Sequence, residues 1–188
     1  MRFFFKDNSY NIFKMFINQI GMTIFGIAIS LATPNDTFFL LSSIFAAGFY
    51  MVLLYTMTWD IGYEEKIKID AGRLEYNRFK GLYMSLFANI PNFIIAILTL
   101  VGFYGASAYK GGTPISPSWA AQTYGVGKLI GSVIEGMYSG VLYVVFNFNP
   151  WAYLLIIVPS LITCTVAYIA GVKGKRILPP PKNEFNKE

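Results

Sequence analysis

Hydrophobic residues collect into four long runs along this chain, with more polar segments between them. The runs are residues 15–32, 38–57, 82–108 and 151–172, and none of them contains Asp, Glu, Lys or Arg. An α-helix rises about 1.5 Å per residue, so about 20 apolar residues cross a hydrocarbon core of about 30 Å. The runs are apolar on every side, unlike membrane β-strands, which alternate apolar and polar positions. The pattern therefore predicts four transmembrane helices.

Positively charged residues flank these runs in three clusters. The clusters are Arg2, Lys6 and Lys14; Lys66, Lys68, Arg73, Arg78 and Lys80; and Lys173, Lys175, Arg176, Lys182 and Lys187. Lys and Arg total 15, and only Lys110 and Lys128 lie outside the clusters. Cytoplasmic segments of membrane proteins retain Lys and Arg. We therefore expect all three clusters, and with them both termini, on the cytoplasmic side of the plasma membrane.

Residues 119–149 form a stretch as long as a span, but it contains Lys128, Glu135 and several glycines. A crossing here would place the tail at 173–188, with its five positive charges, outside the cell. We therefore predict that this stretch stays on the extracytoplasmic side. The predicted fold is an all-α integral membrane protein, a single membrane domain over 1–188. It has four transmembrane helices, an extracytoplasmic amphipathic or re-entrant helix, a cytoplasmic loop at 60–81 and a cytoplasmic tail.

A continuous helix over 126–146 would carry a narrow polar stripe opposite a wide apolar surface. The stripe consists of Lys128, Ser132, Glu135 and Ser139. One interpretation is a helix lying along the outer interface, with its charges among the headgroups. The other is a re-entrant or pore-lining element whose stripe faces water or a partner. In both, the spacings Gly127-x-x-x-Gly131 and Gly136-x-x-x-Gly140 favour close contact with other helices.

The predicted loop at 60–81 contains five acidic and five basic residues and is expected to be a solvated segment laced with ion pairs. It is the largest predicted internal loop and hence the candidate surface for a cytoplasmic partner. The residues proposed for that surface are Asp60, Glu64, Glu65, Asp70, Arg73 and Arg78. Their spacing lacks the calcium-loop pattern, so we expect surface ion pairs there and no metal site.

Few polar residues lie inside the runs, and the best candidate for an intramembrane polar site is Asn89-Ile-Pro-Asn92. Pro91 cannot donate a backbone hydrogen bond and should bend its helix. The Asn89 and Asn92 amides would then line a polar path. Alternatively, they tie helices together or bind the backbone groups that the bend frees.

Several kinds of chemistry lack their usual residues in this chain. Histidine is absent, and the four runs contain no acidic residue. No phosphate-binding glycine loop is recognisable, because Gly125-Val-Gly127-Lys128 is followed by leucine. Basic residues flank spans instead of covering a soluble face, which argues against nucleic-acid binding. We therefore predict a protein that is not an enzyme and that uses no metal or cofactor.

The expected function is that of an accessory or assembly subunit of a larger, transport-type membrane complex. Its partners would be the lipid bilayer and other membrane subunits or further copies of itself. Small-residue spacings such as Ser42-x-x-x-Ala46, Gly102-x-x-x-Ala106 and Ala167-x-x-x-Gly171 would supply the helix contacts. The alternative is a self-associating channel or small-solute carrier, with the polar stripe or the Asn89/Asn92 pair lining its path.

Overall fold

The computed structural model describes residues 2–32, 35–108 and 119–175, and within these residues all regular structure is helical. The elements are α1 (Arg2–Leu31), α2 (Asp36–Asp70), α3 (Lys80–Ala88), α4 (Ile90–Ala108), α5 (Trp119–Ile134), a 3₁₀ turn (Gly136–Tyr138), a π-helical turn (Val141–Val145), α6 (Ala152–Leu155) and α7 (Val158–Val172). The predicted loop around Lys110 and most of the predicted tail lie outside the described residues.

Three of the helical segments described are long and apolar enough to cross a membrane: Phe4–Leu31, Asp36–Asp70 and Ala152–Val172. Helices α3 and α4 together meet the same test, but they are bent by 57° at the break between them. They make a fourth candidate span if the bent pair is counted as one. The all-α prediction is confirmed, and these lengths indicate a membrane protein.

The predicted loop at 60–81 is shorter than expected, because α2 continues as a helix to Asp70. The helix ends where Gly72 adopts a φ of +68°, a conformation that favours glycine. There the Gly72 N–H donates to the Ile69 carbonyl and the Arg73 N–H to the Lys68 carbonyl, each at 2.9 Å. This is the Schellman pattern that closes a helix C-terminus. Only residues 71–79 connect α2 to α3.

Four helix termini meet at one end of the bundle, which we call the basic end. The Phe4 ring of α1 lies 5.8 Å from the Tyr83 ring of α3. Trp59 of α2 donates its indole N–H to the Lys175 carbonyl, just beyond α7, at 2.7 Å. Lys80, at the start of α3, forms an ion pair with a carboxylate of α2. Described members of all three basic clusters therefore share one end of the bundle, as the charge pattern predicts.

Helices α2 and α7 run parallel and touch through their backbones. A Cβ added to Gly171 would clash with the Trp59 carbonyl, and one added to Gly62 would lie 2.5 Å from the Tyr168 carbonyl oxygen. Ala167 and Cys164, on the same helix, are fully buried. The small-residue face of α7 therefore packs against α2 within the chain, and Cys164 is a core residue.

Helices α4 and α5 form an antiparallel hairpin. Gly102 contacts the backbone of Tyr124, and Gly127 packs against Thr99, so α5 follows α4 back from its C-terminal end. Gly131, near the end of α5, reaches Ile95. At 1.5 Å per residue, Ile95 lies about 20 Å along α4 from the last residue of that helix. Helix α5 therefore runs back alongside α4 into the bundle.

Candidate functional site

The chain changes its helical geometry at Glu135, immediately after α5. The Glu135 N–H still donates to the Gly131 carbonyl at 2.8 Å, whereas the Tyr138 N–H donates to the Glu135 carbonyl at 2.8 Å, which begins the 3₁₀ turn. Glu135 has φ −112° and ψ 20°, outside the α-helical region. The expectation of one continuous helix over 126–146 is therefore wrong.

Side chains from α1 and α2 bind carbonyls on both sides of this break. The Thr23 hydroxyl donates to the Ile134 carbonyl at 2.7 Å, and the Ser43 hydroxyl donates to the Met137 carbonyl at 2.7 Å. Buried carbonyls need such partners, since leaving one unpaired costs about 1–3 kcal/mol. Thr23 and Ser43 thus supply the hydrogen bonds that a broken helix lacks.

Glycines allow the break to approach α1 and α2 closely. A Cβ added to Gly136 would lie 2.6 Å from Cγ1 of Ile27, and one added to Gly26 would lie 2.6 Å from Cα of Met137. Gly140 abuts the Phe39 carbonyl in the same way. The close contacts predicted for Gly136-x-x-x-Gly140 are present, and their partners lie within this chain.

Glu135 is buried inside the bundle, with 1% of its surface exposed. Neither of its carboxylate oxygens has a hydrogen-bond partner among the described residues, and the same holds for the buried hydroxyl of Tyr138. In a 3₁₀ turn, positions i and i+3 lie on the same side, so these two side chains share one side of the break. The Tyr153 ring of α6 packs against Gly131, one helical turn before Glu135. We call Glu135 and Tyr138 the helix-break site.

The other members of the predicted stripe differ from Glu135 in their surroundings, and two of them, Lys128 and Ser132, lie on α5 before the break. The Lys128 ammonium lies 4.3 Å from the centroid of the Phe148 ring and 5.6 Å from that of Tyr124. Ser132 is exposed and donates to a carbonyl of its own helix. Ser139 donates to the Gly136 carbonyl at 2.7 Å. Of the four stripe residues only Glu135 is fully buried, so the stripe does not form one buried polar surface.

A chain of buried amides leads through the bundle toward the helix-break site. Gln19 of α1 and Asn92 of α4 exchange two hydrogen bonds, at 2.8 and 3.0 Å. Asn92 also donates to Asn89 at 2.8 Å, and Asn89 donates to the Ser160 hydroxyl of α7 at 3.1 Å. At its other end, the Gln19 amide nitrogen lies 3.5 Å from the Ile134 carbonyl. We call Gln19, Asn92, Asn89 and Ser160 the amide chain.

The predicted bend near Pro91 is present and positions these amides. Asn89 lies between α3 and α4, and Pro91 is the second residue of α4. Proline has no N–H to continue the helix and its ring clashes with the preceding turn, so the helix breaks here. Because the amides bind one another, they tie α1, α4 and α7 together, as one of the two interpretations expected.

The acidic candidates at the basic end divide into one buried residue and several exposed ones. Glu65 is buried; its carboxylate pairs with Lys80 and accepts a hydrogen bond from the Tyr168 hydroxyl at 2.6 Å. It therefore joins α2, α3 and α7 and cannot belong to a partner surface. The remaining candidates are exposed: Asp60, Glu64, Asp70, Arg73 and Arg78.

Sequence reasoning did not identify Thr23, Ser43, Tyr138 or Ser160 as part of a site. One signal was available for Thr23, because it follows Gln19 by four residues in an apolar run, which puts both polar side chains on one helix face. The other contacts join positions far apart in sequence. Comparisons of this chain with protein-family models, with curated proteins and with solved structures find no match.

Proposed function

We propose that this chain is a four-span plasma-membrane protein that moves a small cation or small polar solute, and that the helix-break site binds it. The observation that supports this proposal is the Glu135 carboxylate, buried in an apolar bundle with no hydrogen-bond partner among the described residues. An ionisable side chain is expensive at membrane depth, and such residues usually mark an ion or solute path. A purely structural role would be better served by an apolar residue.

The arrangement of broken helices supports the same function. Two interruptions lie side by side: the bend at Asn89 and the break at Glu135, joined through the amide chain and the Ile134 carbonyl. In many membrane carriers, discontinuous helices expose backbone groups near the bilayer midplane and form the substrate site there. Backbone that departs from the helix is tolerated at such depth only where protein or water surrounds it.

For the topology, we propose that the basic end faces the cytoplasm and that α3 and α4 act as one bent span. Both termini are then cytoplasmic, and the positive charges follow the distribution typical of membrane proteins. Helix α5 and the two turns after it then form a re-entrant element that enters from the extracytoplasmic side. The supporting contact is the hydrogen bond from the Trp151 indole to the Tyr104 hydroxyl at 2.8 Å, which brings the segment after the π-helical turn back beside the outer part of α4.

The accessory-subunit function stays a prediction, and the small-residue faces do not support it. Small-residue faces suggested contacts with other subunits, but these faces pack within the chain. Ala46 is fully buried, Gly102 touches Tyr124, and Gly171 touches Trp59. We retain the proposal that the protein is not an enzyme.

Transport is testable with the purified protein in liposomes, using fluorescent indicators for entry of alkali cations and isotope uptake for small neutral solutes. We expect flux from the unchanged protein and at least about a tenfold loss with Glu135→Gln, which corresponds to about 1.4 kcal/mol of lost stabilisation. Glu64→Gln is the matched control, because it removes an exposed carboxylate and should leave flux unchanged.

Two results would contradict this proposal. One is equal flux in the protein and in Glu135→Gln. The other is the absence of flux in correctly folded protein that co-purifies with another membrane protein in mild detergent. The second result would instead favour the accessory-subunit prediction.

A further inference from the structure

We propose that the helix-break site holds one monovalent alkali-metal cation between the Glu135 carboxylate and the Tyr138 hydroxyl. This inference rests on the proposed transport function and names the ligand of the same site. Both groups are buried, both lack a hydrogen-bond partner among the described residues, and the 3₁₀ turn puts them on the same side. One bound ion would satisfy both of them.

The electrostatics of the site favour a cation. Helix α5 ends at Ile134, and the C-terminal end of a helix carries a partial negative charge. This end lies directly beside the Glu135 carboxylate. The nearest basic residue along the same helix, Lys128, places its ammonium over the Phe148 and Tyr124 rings, and Lys80 pairs with Glu65. The ionised form of Glu135 therefore has no protein counter-ion among the described residues, and a bound cation would stabilise it.

The oxygen ligands favour a metal ion over a proton. A proton neutralises Glu135 by binding one carboxylate oxygen. A metal ion binds several oxygens at once, and carboxylate and hydroxyl oxygens are suitable ligands for hard cations. The two unpartnered groups therefore have one common explanation.

The charge and size of the site indicate a monovalent ion. Divalent ions are usually held by several carboxylates. In the described part of the chain, no three Asp, Glu, Cys or His residues lie together as a metal site. The 3₁₀ turn is also packed tightly against α1, where a Cβ on Gly136 would meet Ile27 at 2.6 Å. An alkali ion fits such a site better than a large organic cation.

Thr23 acts as a positioning residue for this ion. Its hydroxyl donates a hydrogen bond to the Ile134 carbonyl at 2.7 Å. Because Ile134 directly precedes Glu135, this bond fixes the backbone from which the Glu135 side chain extends. Ser43 holds the Met137 carbonyl on the other side of the break. Loss of the Thr23 hydroxyl should therefore weaken ion binding, whereas Thr23→Ser should preserve it.

Cation binding can be measured without transport. The purified protein is heated in detergent with increasing NaCl or KCl, and choline chloride keeps the ionic strength constant. Na⁺ or K⁺ at about a hundred times its Kd should raise the Tm of the protein by about 5–10 °C. We expect this shift in the unchanged protein and in Glu64→Gln, and no shift in Glu135→Gln, which has nearly the same shape.

The outcomes separate this inference from the proposed function. No Tm shift with either salt, or an equal shift in Glu135→Gln, would overturn the cation site. Flux of a neutral solute that does not depend on alkali ions, without a Tm shift, would overturn it and leave transport standing. A Glu135-dependent Tm shift without flux would support the ion site and contradict transport.

The Thr23 variants test the positioning role. We expect Thr23→Val to raise the salt concentration at the midpoint of the titration at least about fivefold, because ion binding is weaker. Thr23→Ser should leave this midpoint unchanged. A lower Tm at every salt concentration with an unchanged midpoint would contradict that role, because a merely structural hydroxyl would behave in this way.

Discussion

Glu65 and Glu135 are the two carboxylates buried in the described part of the chain, and their surroundings differ. Glu65 has a cationic partner in Lys80 and a hydrogen bond from Tyr168. Glu135 has neither among the described residues. A buried carboxylate that is paired within the protein holds helices together, whereas the charged form of an unpaired one is stabilised only by a ligand of opposite charge. The same residue type therefore has a structural role at one site and is the proposed binding group at the other.

Removal of the Glu65 carboxylate should destabilise the fold. Glu65→Ala leaves the Lys80 ammonium and the Tyr168 hydroxyl without their partner, and breaking a buried ion pair in this way costs about 3 kcal/mol. Glu64→Ala, at the next and exposed position, should change stability by less than about 0.5 kcal/mol. Unfolding in mixed micelles with increasing denaturing detergent measures both. Equal stability of the two variants would refute the structural role of Glu65.

At the scale of helices, the hairpin of α4 and α5 depends on glycines on one side of each helix. Gly102 of α4 meets the backbone of Tyr124, and Gly127 of α5 meets Thr99. On the opposite side of α5, Gly125 has no neighbour within 4 Å of where its Cβ would lie. Glycine is therefore required for packing at Gly102, a Cβ at Gly127 would make a tight contact of 3.2 Å with Thr99, and at Gly125 glycine only lowers helix propensity.

Two alanine substitutions in this hairpin should have opposite effects. Gly102→Ala forces α4 away from the Tyr124 backbone and should cost about 1–3 kcal/mol, as overpacking usually does. Gly125→Ala meets open space and should stabilise the helix by up to about 1 kcal/mol. Thermal unfolding of the two variants in the same detergent measures the difference. A stabilising Gly102→Ala would mean that α4 and α5 do not pack as described.

The helices of this fold were easier to predict than the site. Apolar runs reveal membrane-crossing helices because lipid excludes charge along the whole run, and Pro91 signals its bend through local chemistry. No residue type near Glu135 signals the break in the way that Pro91 signals its bend. A helical projection assumes a constant rotation per residue, which the 3₁₀ and π-helical turns do not keep. The hydroxyls that stabilise the break, Thr23 and Ser43, come from α1 and α2, distant in sequence from the carbonyls that they bind.

At the scale of the whole molecule, the membrane topology depends on two features: the positions of the basic clusters and whether residues 119–149 cross the membrane. Described basic residues from all three clusters lie at the basic end, and the contact of Trp151 with Tyr104 brings residues 119–149 back to the C-terminal end of α4. If 119–149 returns without crossing, the segment around position 110 and the end of α7 lie on opposite sides of the membrane. If it crosses, they lie on the same side.

Single cysteines at positions 110 and 173 distinguish these arrangements. Cys164 is fully buried and is first replaced by serine, after which Lys110→Cys and Lys173→Cys are introduced separately. With the basic end in the cytoplasm, a membrane-impermeant maleimide should label position 110 in intact cells, and position 173, which is exposed, only after permeabilisation. Labelling of both positions from the same side would show that 119–149 crosses the membrane, and Glu135 would then lie on a fifth span instead of a re-entrant break.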